Sequence, residues 1–351
     1  MARCVFAIPG DLDTPTGGYT YARKVIPFLA ERFELQICKL PHTFPFPSSL
    51  DLEVTAKALA AADRSGAVFL IDGLAFGTFP AALIETLRSP IAVLLHHPLG
   101  LEEGPSASQK NALLKSEETA LKYAAHIVVS SAATAKDVSR LFSMDPSRIT
   151  VAEPGVMRGT RSSAPEPGAP LHIVSVGTVV PRKGYNVLLD AFDLIRDLNW
   201  RATIAGALDR SEDAVQTLKA KIAQYGLSQR VTLAGALNER SISALYTSGD
   251  IFALASLYEG YGMAFAEAMA HGLPVVASGD GAVKDTVPAE AGIYCETGNA
   301  RTFADALRTL IVDGEIRRAK ADEAWRHAAT LPSWDNTAAE IASVLNRLVA
   351  A

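Results

Sequence analysis

Residues Asp250 to Ser278 read DIFALASLYEGYGMAFAEAMAHGLPVVAS. The apolar run Ile251–Ala255 has the length and bounds of a buried strand, and a helical stretch around Met263–His271 follows after a loop holding Gly260 and Gly262. Gly272 closes that helix, Pro274 ends it, and Val275–Ala277 begins another strand. Strand, helix and strand in so short a span make a unit of a parallel sheet. The pattern repeats outward in both directions. Upstream in the same half lie the strand candidates His172–Val176, Arg201–Ala205 and Val231–Ala234, with Gly292–Tyr294 downstream. The first half offers Cys4–Ile8, Glu34–Cys38, Ala67–Ile71, Ile91–Leu95, Ile127–Val129 and Ile149–Val151. Amphipathic stretches such as Tyr19–Arg32, Lys110–Ala124 and Tyr185–Leu198 separate them. This alternation predicts an α/β protein of two doubly wound parallel sheets, a class that binds ligands at the carboxyl ends of its strands. The stretch Arg158–Pro170, rich in Pro, Gly and Ser, reads as the connection. The expected organisation is a first domain over 1–160, a linker over 161–170, a second domain over 171–332 and a terminal helix over 333–351.

A length of 351 residues suits two such domains. With 49% hydrophobic and 20% charged residues the composition is globular. Lys and Arg total 33 against 38 Asp and Glu, and a cut at residue 160 gives 15 against 16 and then 18 against 22. Neither half has the basic excess that nucleic acid would demand. Cys4, Cys38 and Cys295 form no CxxC pair, which points to a reducing cytoplasm rather than a disulfide scaffold. No apolar run approaches a membrane span, so no integral membrane contact is expected.

Several constellations carry chemistry. Gly260 and Gly262 let backbone approach a ligand closely, and the following helix start offers unpaired N–H groups to an anion or a hydroxyl-rich molecule. Glu259 and Glu267 flank that loop, where each carboxylate could hold a diol; solvated glutamates beside a tight turn would read the same way. In SVGTVVPRKGYNVLLDAF, Ser175 to Phe192, a strand ends at Gly177 and a helix starts after Gly184. Arg182 and Lys183 then sit at the strand's carboxyl end, placed to neutralise a leaving diphosphate or merely to be solvated. Gly17-Gly18 follows the first strand in a loop that could run beneath a ligand or form an ordinary turn. His96 and His97 end the strand Ile91–Leu95, where a histidine can donate to substrate or serve a structural role. Asp11, Asp13, Tyr19, Asp72 and His97 are the further candidates for acceptor contacts.

The segment around Glu259 closely resembles the signature of family 4 retaining glycosyltransferases, a glutamate pair with seven residues between them in an EGFG-like loop followed by EAMA.GLPVVAS. Here it runs Glu259-Gly260-Tyr261-Gly262 to Glu267-Ala268-Met269-Ala270, then Gly272-Leu273-Pro274-Val275-Val276-Ala277-Ser278, with Ala264 in place of the usual proline. The second motif resembles the family's G-R-x-x-x-x-K-G, with Lys183 in register but Thr178 where many members have arginine; Arg182 is the candidate substitute. RVTLAGALNERSISALYTSGD, Arg230 to Asp250, is similar to the element near the nucleobase, and ITVAEPGVM is similar to the hinge, with Glu153-Pro154 replacing Pro-Asn. Second-half motifs are specific and first-half motifs loose.

The resemblance implies the GT-B architecture, two Rossmann-like domains facing across a cleft, with the terminal helix crossing back to the first. It implies that Glu259 contacts the donor sugar and Glu267 the nucleotide ribose, while the backbone of Gly260, Tyr261, Gly262 and Met263 meets sugar and phosphate. Gly177, Thr178, Arg182 and Lys183 would face the diphosphate, Gly17 and Gly18 would face it from the first domain, and Gly235 and Ala236 would lie at the base. His96 would stand near the reacting sugar, with a slip to His97 as the alternative. The implied activity is metal-independent hexose transfer with retention, from a nucleoside diphosphate sugar (UDP preferred over GDP) to a hydroxyl of a soluble small molecule or saccharide. No cofactor is expected. A sugar-nucleotide epimerase or hydrolase and a non-catalytic binding protein are the alternatives.

Overall fold

The computed structural model describes residues 1–102, 104–163 and 165–350. It divides into two compact units, one of residues 1–155 together with the stretch from Pro332 onward, the other Val156–Leu331. The strands are β1 Arg3–Pro9, β2 Glu34–Leu40, β3 Ala67–Asp72, β4 Ile91–Leu95, β5 His126–Val129 and β6 Ile149–Val151 in the first unit. In the second they are β7 Leu171–Val176, β8 Trp200–Ala205, β9 Val231–Gly235, β10 Ile251–Leu254, β11 Tyr258–Glu259, β12 Val275–Ala277, β13 Asp280–Gly281 and β14 Gly292–Tyr294.

In the first unit all pairings are parallel, in the order β2-β1-β3-β4-β5-β6. β3 and β4 are buried along their whole length, as a strand covered by helices on both faces must be. The order reverses between β1 and β3, so the loops after those strands diverge and leave a crevice at their carboxyl ends. The second unit is also parallel, in the order β9-β8-β7-β10-β12-β14, and its reversal falls between β7 and β10. Side chains such as Phe192, Trp200, Phe252, Phe265 and Phe303 fill its core. β11 and β13 form a separate two-stranded parallel sheet.

Three expectations shift. The boundary falls at Gly155, ahead of the Pro-, Gly- and Ser-rich stretch, whose start is bound to the second unit. The amide of Gly159 donates to the Ala270 carbonyl at 3.1 Å, that of Ser162 to His271 at 2.8 Å, and the Arg158 guanidinium lies 3.9 Å above the Trp325 ring. Composition reports turn-forming residues but not the partners their backbone finds. Ala164 in the expected linker and Ala351 at the end of the expected terminal helix lie outside the described residues. Second, Gly17 and Gly18 are the first residues of the helix Gly17–Ala30, behind an extended Thr16, rather than part of the loop. Third, the helix from Tyr185 stops at Leu194, because the chain turns there to bring Trp200 into β8, its indole N–H donating to the Ile195 carbonyl at 2.8 Å.

The final helix, Trp334–Ala350, packs within the first unit: Trp334 meets Tyr21 edge-on at 5.5 Å and the Thr337 hydroxyl donates to the Glu153 carbonyl at 2.6 Å. Among the described residues no helix is long and apolar enough to cross a membrane.

Candidate functional site

The second unit gathers its chemistry at the reversal between β7 and β10. After β7 the chain passes Gly177 and Thr178 and makes a short turn, Pro181–Lys183, ended by Gly184 at φ 61°. A Cβ on Gly184 would collide with the Ala255 carbonyl oxygen. This close approach sets the Arg182–Lys183 turn directly against the loop after β10. There Glu259 is buried, 5% exposed. Its Oε1 accepts from Lys183 Nζ at 2.6 Å and from the Ser256 hydroxyl at 2.6 Å, and its Oε2 from Arg182 Nη1 at 3.3 Å. Arg182 also donates to the Tyr258 carbonyl at 2.8 Å.

Burial alone would raise the Glu259 carboxyl. The charges of Lys183 and Arg182, with hydrogen bonds from Lys183 and Ser256, overcome it and hold the group at about 2. Two cationic side chains meet this one carboxylate. The helix Met263–Ala270 starts beside it, with Gly262 at φ 95° as its N-cap, so unpaired N–H groups and the positive dipole end add to the same field. The arrangement can bind a diphosphate and simultaneously present an ionised carboxylate to sugar hydroxyls.

Glu267, on that helix, accepts from the Tyr246 phenol at 3.0 Å. Gly177 donates its amide to Ala205 and accepts the Tyr185 hydroxyl at 2.8 Å, which pins the backbone leading to Thr178. Gly235, at φ 69°, closes β9 and its carbonyl accepts from the Gly206 amide at 2.8 Å; Ala236 beside it is exposed. Thus Glu259, Arg182 and Lys183, read as separate motifs, form one ion cluster, while Glu267 is met by the Tyr246 phenol. Residue reasoning missed Ser256 and Tyr246. Ser256, three residues before Glu259, was within reach as a hydroxyl in the same loop, whereas nothing in sequence spacing links Tyr246 to Glu267.

The first unit brings a second set together at its own reversal. Asp72 ends β3, is buried, and caps the turn Gly73–Phe76 by accepting from the Leu74 amide at 2.9 Å. Burial raises its carboxyl to about 7 against the lowering effect of that bond. Its other oxygen lies 3.9 Å from His96 Nε2. The His96 ring is 22% exposed although Nε2 itself is buried. Burial, then the neighbouring His97, push its value down to about 4, so the ring is neutral at pH 7. Its Cδ2 would stand 3.1 Å from a Cβ on Gly18, and Tyr21 meets it edge-on at 5.1 Å. His96, Asp72 and Gly18 are therefore neighbours. His97 turns to Glu102 at 3.2 Å, and the Tyr19 hydroxyl donates to the Pro9 carbonyl at 2.7 Å. Asp11 is exposed and accepts the Asp13 amide at 3.0 Å, an interaction that lowers its carboxyl.

Residues 158–328 match the family model of the group 1 glycosyl transferases. The D-inositol 3-phosphate glycosyltransferase of Corynebacterium glutamicum is 32% identical over 232 residues, 61% of this chain and 55% of that protein. The MMP alpha-(1→4)-mannosyltransferase of Mycolicibacterium hassiacum is 26% identical over 328 residues, 88% of this chain and 77% of that one. The chain thus spans about half the length of several curated relatives it matches. Among solved structures, sucrose-phosphate synthase of Thermosynechococcus elongatus superposes with a TM-score of 0.85 at 19% identity, covering 100% of both chains. Anabaena HepE in complex with UDP-glucose gives 0.80 at 18% identity, covering 99% of this chain and 100% of that one. These likenesses show the fold, the GT-B architecture of two Rossmann-like units.

Proposed function

Since residues 158–328 belong to the group 1 glycosyl transferases, we propose that this chain transfers a hexose, with retention, from a nucleoside diphosphate sugar to the hydroxyl of a small polar acceptor. The observation that carries this reading is the buried Glu259 carboxylate clasped by Lys183, Arg182 and Ser256 at the reversal of the second sheet. A group held at about 2 is an acceptor of hydrogen bonds at any physiological pH and no proton donor. It suits sugar hydroxyls. Lys183, Arg182 and the amides opening the helix Met263–Ala270 suit the diphosphate, and Glu267 suits the ribose.

In this scheme the bond from the anomeric carbon to the phosphate oxygen breaks and its electron pair stays on the diphosphate, whose growing charge the cations stabilise. The acceptor oxygen bonds to the same face of the sugar, and its proton passes to the departing phosphate. His96, neutral at pH 7, donates a hydrogen bond to the sugar; Asp11, Asp13, Tyr19, Asp72 and His97 are the proposed surroundings of the acceptor. UDP is the proposed donor base, with GDP second. The relative named for D-inositol 3-phosphate supports a small, hydroxylated acceptor, and the mannosyltransferase supports a hexose. The cationic clamp takes the place of a metal ion. A cytoplasmic setting belongs to the same proposal, supported by three buried free thiols, Cys4, Cys38 and Cys295.

A thermal-shift panel of UDP, GDP, ADP and their sugar conjugates tests the donor assignment, since a ligand of the native state raises its apparent stability. The expected result is a shift with one base that is lost in Glu267→Ala and Lys183→Ala. Folded protein that responds to no nucleotide overturns the proposal. Once an acceptor is found, Lys183→Ala is expected to lower kcat by about 10²- to 10³-fold. EDTA is expected to leave turnover unchanged, and activity that returns only with added Mg²⁺ would refute the metal-free clamp.

A further inference from the structure

Glu267 is held from two sides by one neighbouring helix. Ser243 and Tyr246 lie three residues apart on the helix Glu239–Thr247, hence on one face. The Tyr246 phenol donates to Glu267 Oε2 at 3.0 Å, and more weakly to the Ala264 carbonyl at 3.4 Å. His271 Nδ1 lies 2.9 Å from the Glu267 carbonyl, which can only accept, so the proton sits on Nδ1. Nε2 then accepts from the Ser243 hydroxyl at 3.0 Å. The Tyr246 ring stacks on His271 at 5.1 Å with 29° between the planes, and it packs beside Phe252.

The ring is 1% exposed. Stacking on His271 and packing beside Phe252 hold the ring that carries the hydroxyl. Burial, then the Glu267 charge, raise the phenol well above its ordinary value, so it stays a donor throughout the physiological range. A flexible glutamate on a helix surface samples several rotamers; one oxygen tied to a fixed donor samples few, and less order is lost when a ligand binds.

We propose that Tyr246 is a positioning residue for the nucleotide site: its hydroxyl orients Glu267 so that the carboxylate meets a ribose diol. This rests on the assignment of Glu267 to the ribose made above. Tyr246 supports Glu267 as Lys183, Arg182 and Ser256 support Glu259.

The test compares affinities for the pairs UDP/dUDP, GDP/dGDP and ADP/dADP by titration calorimetry. Wild-type protein is expected to prefer the ribo form of its base, and Glu267→Gln to abolish that preference. Tyr246→Phe keeps the stacked ring and is expected to reduce the preference roughly five- to tenfold, the net worth of an ordinary hydrogen bond. Its unfolding temperature should stay near that of the wild type. The double variant should show no loss beyond that of Glu267→Gln alone, because the two side chains act as one unit. Ser243→Ala, which loosens the same helix but keeps the phenol, should leave the ratio unchanged.

A full ribo preference in Tyr246→Phe, or an equal collapse in Ser243→Ala, overturns the positioning role. The absence of any ribo preference in the wild type overturns the ribose assignment itself, and this inference with it.

Discussion

Glu117 shows how a single buried group couples stability to pH. It is 1% exposed on the helix Ala107–Leu121, and its Oε2 accepts the Leu99 amide at 2.9 Å. Burial raises the carboxyl to about 8. The folded chain therefore keeps a proton that the unfolded chain releases near its ordinary value, so this contribution is full below about pH 4 and declines as pH rises towards about 8. Glu117→Gln retains the shape and the accepting oxygen but cannot ionise. It is expected to flatten the pH dependence of Tm over that window and to exceed the wild type by a few degrees at about pH 9, read by thermal unfolding across a pH series. His96, held down at about 4, has the opposite sign: its contribution is present above its ordinary value and fades as pH falls through about 4. At the same scale, the Arg182 guanidinium reaches both Glu259 and the Tyr258 carbonyl, which ties the turn that carries it to the loop after β10.

At the scale of elements, the site depends on two turns that cross at van der Waals distance. Gly184 ends the Pro181–Lys183 turn in the left-handed region and begins the helix Tyr185–Leu194. Alanine there carries both the backbone penalty and a collision with the Ala255 carbonyl. Gly184→Ala is expected to cost the second unit at least ~2 kcal/mol and to weaken nucleotide binding by moving Lys183. Gly226, at φ 66° with open space about it, is the control: alanine there meets only the backbone penalty of about 1 kcal/mol. Denaturant unfolding of the two variants side by side checks the difference. Helix and strand types followed from periodicity along the chain, but ends such as Leu194 did not. The turn after it serves Trp200, whose partner at the Ile195 carbonyl belongs to the tertiary fold.

At the scale of the molecule, the last helix completes the first unit. Gly155 has no room for a side chain because the Ser333–Trp334 backbone occupies that space, and Arg32 pairs with Asp335 at 2.6 Å. Trp334→Ala removes the edge contact with Tyr21 and is expected to destabilise the first unit by about 3–5 kcal/mol. Hydrogen exchange should rise in the helix Gly17–Ala30 and leave β7 and β10 as protected as before. The alternation of short apolar runs with amphipathic stretches was enough to determine the α/β class, because strand and helix periods are properties of the local chain. The loop from Glu259 to Gly262 and the Arg182–Lys183 pair were legible for the same reason, each being contiguous. What only the tertiary structure decided is which of these meet: Lys183 with Glu259, Asp72 with His96, Tyr246 with Glu267, and Trp334 with Tyr21. Those pairs are separated along the chain and joined by strand order and by close glycine approaches, and their charges and protonation states follow from burial that no local pattern records.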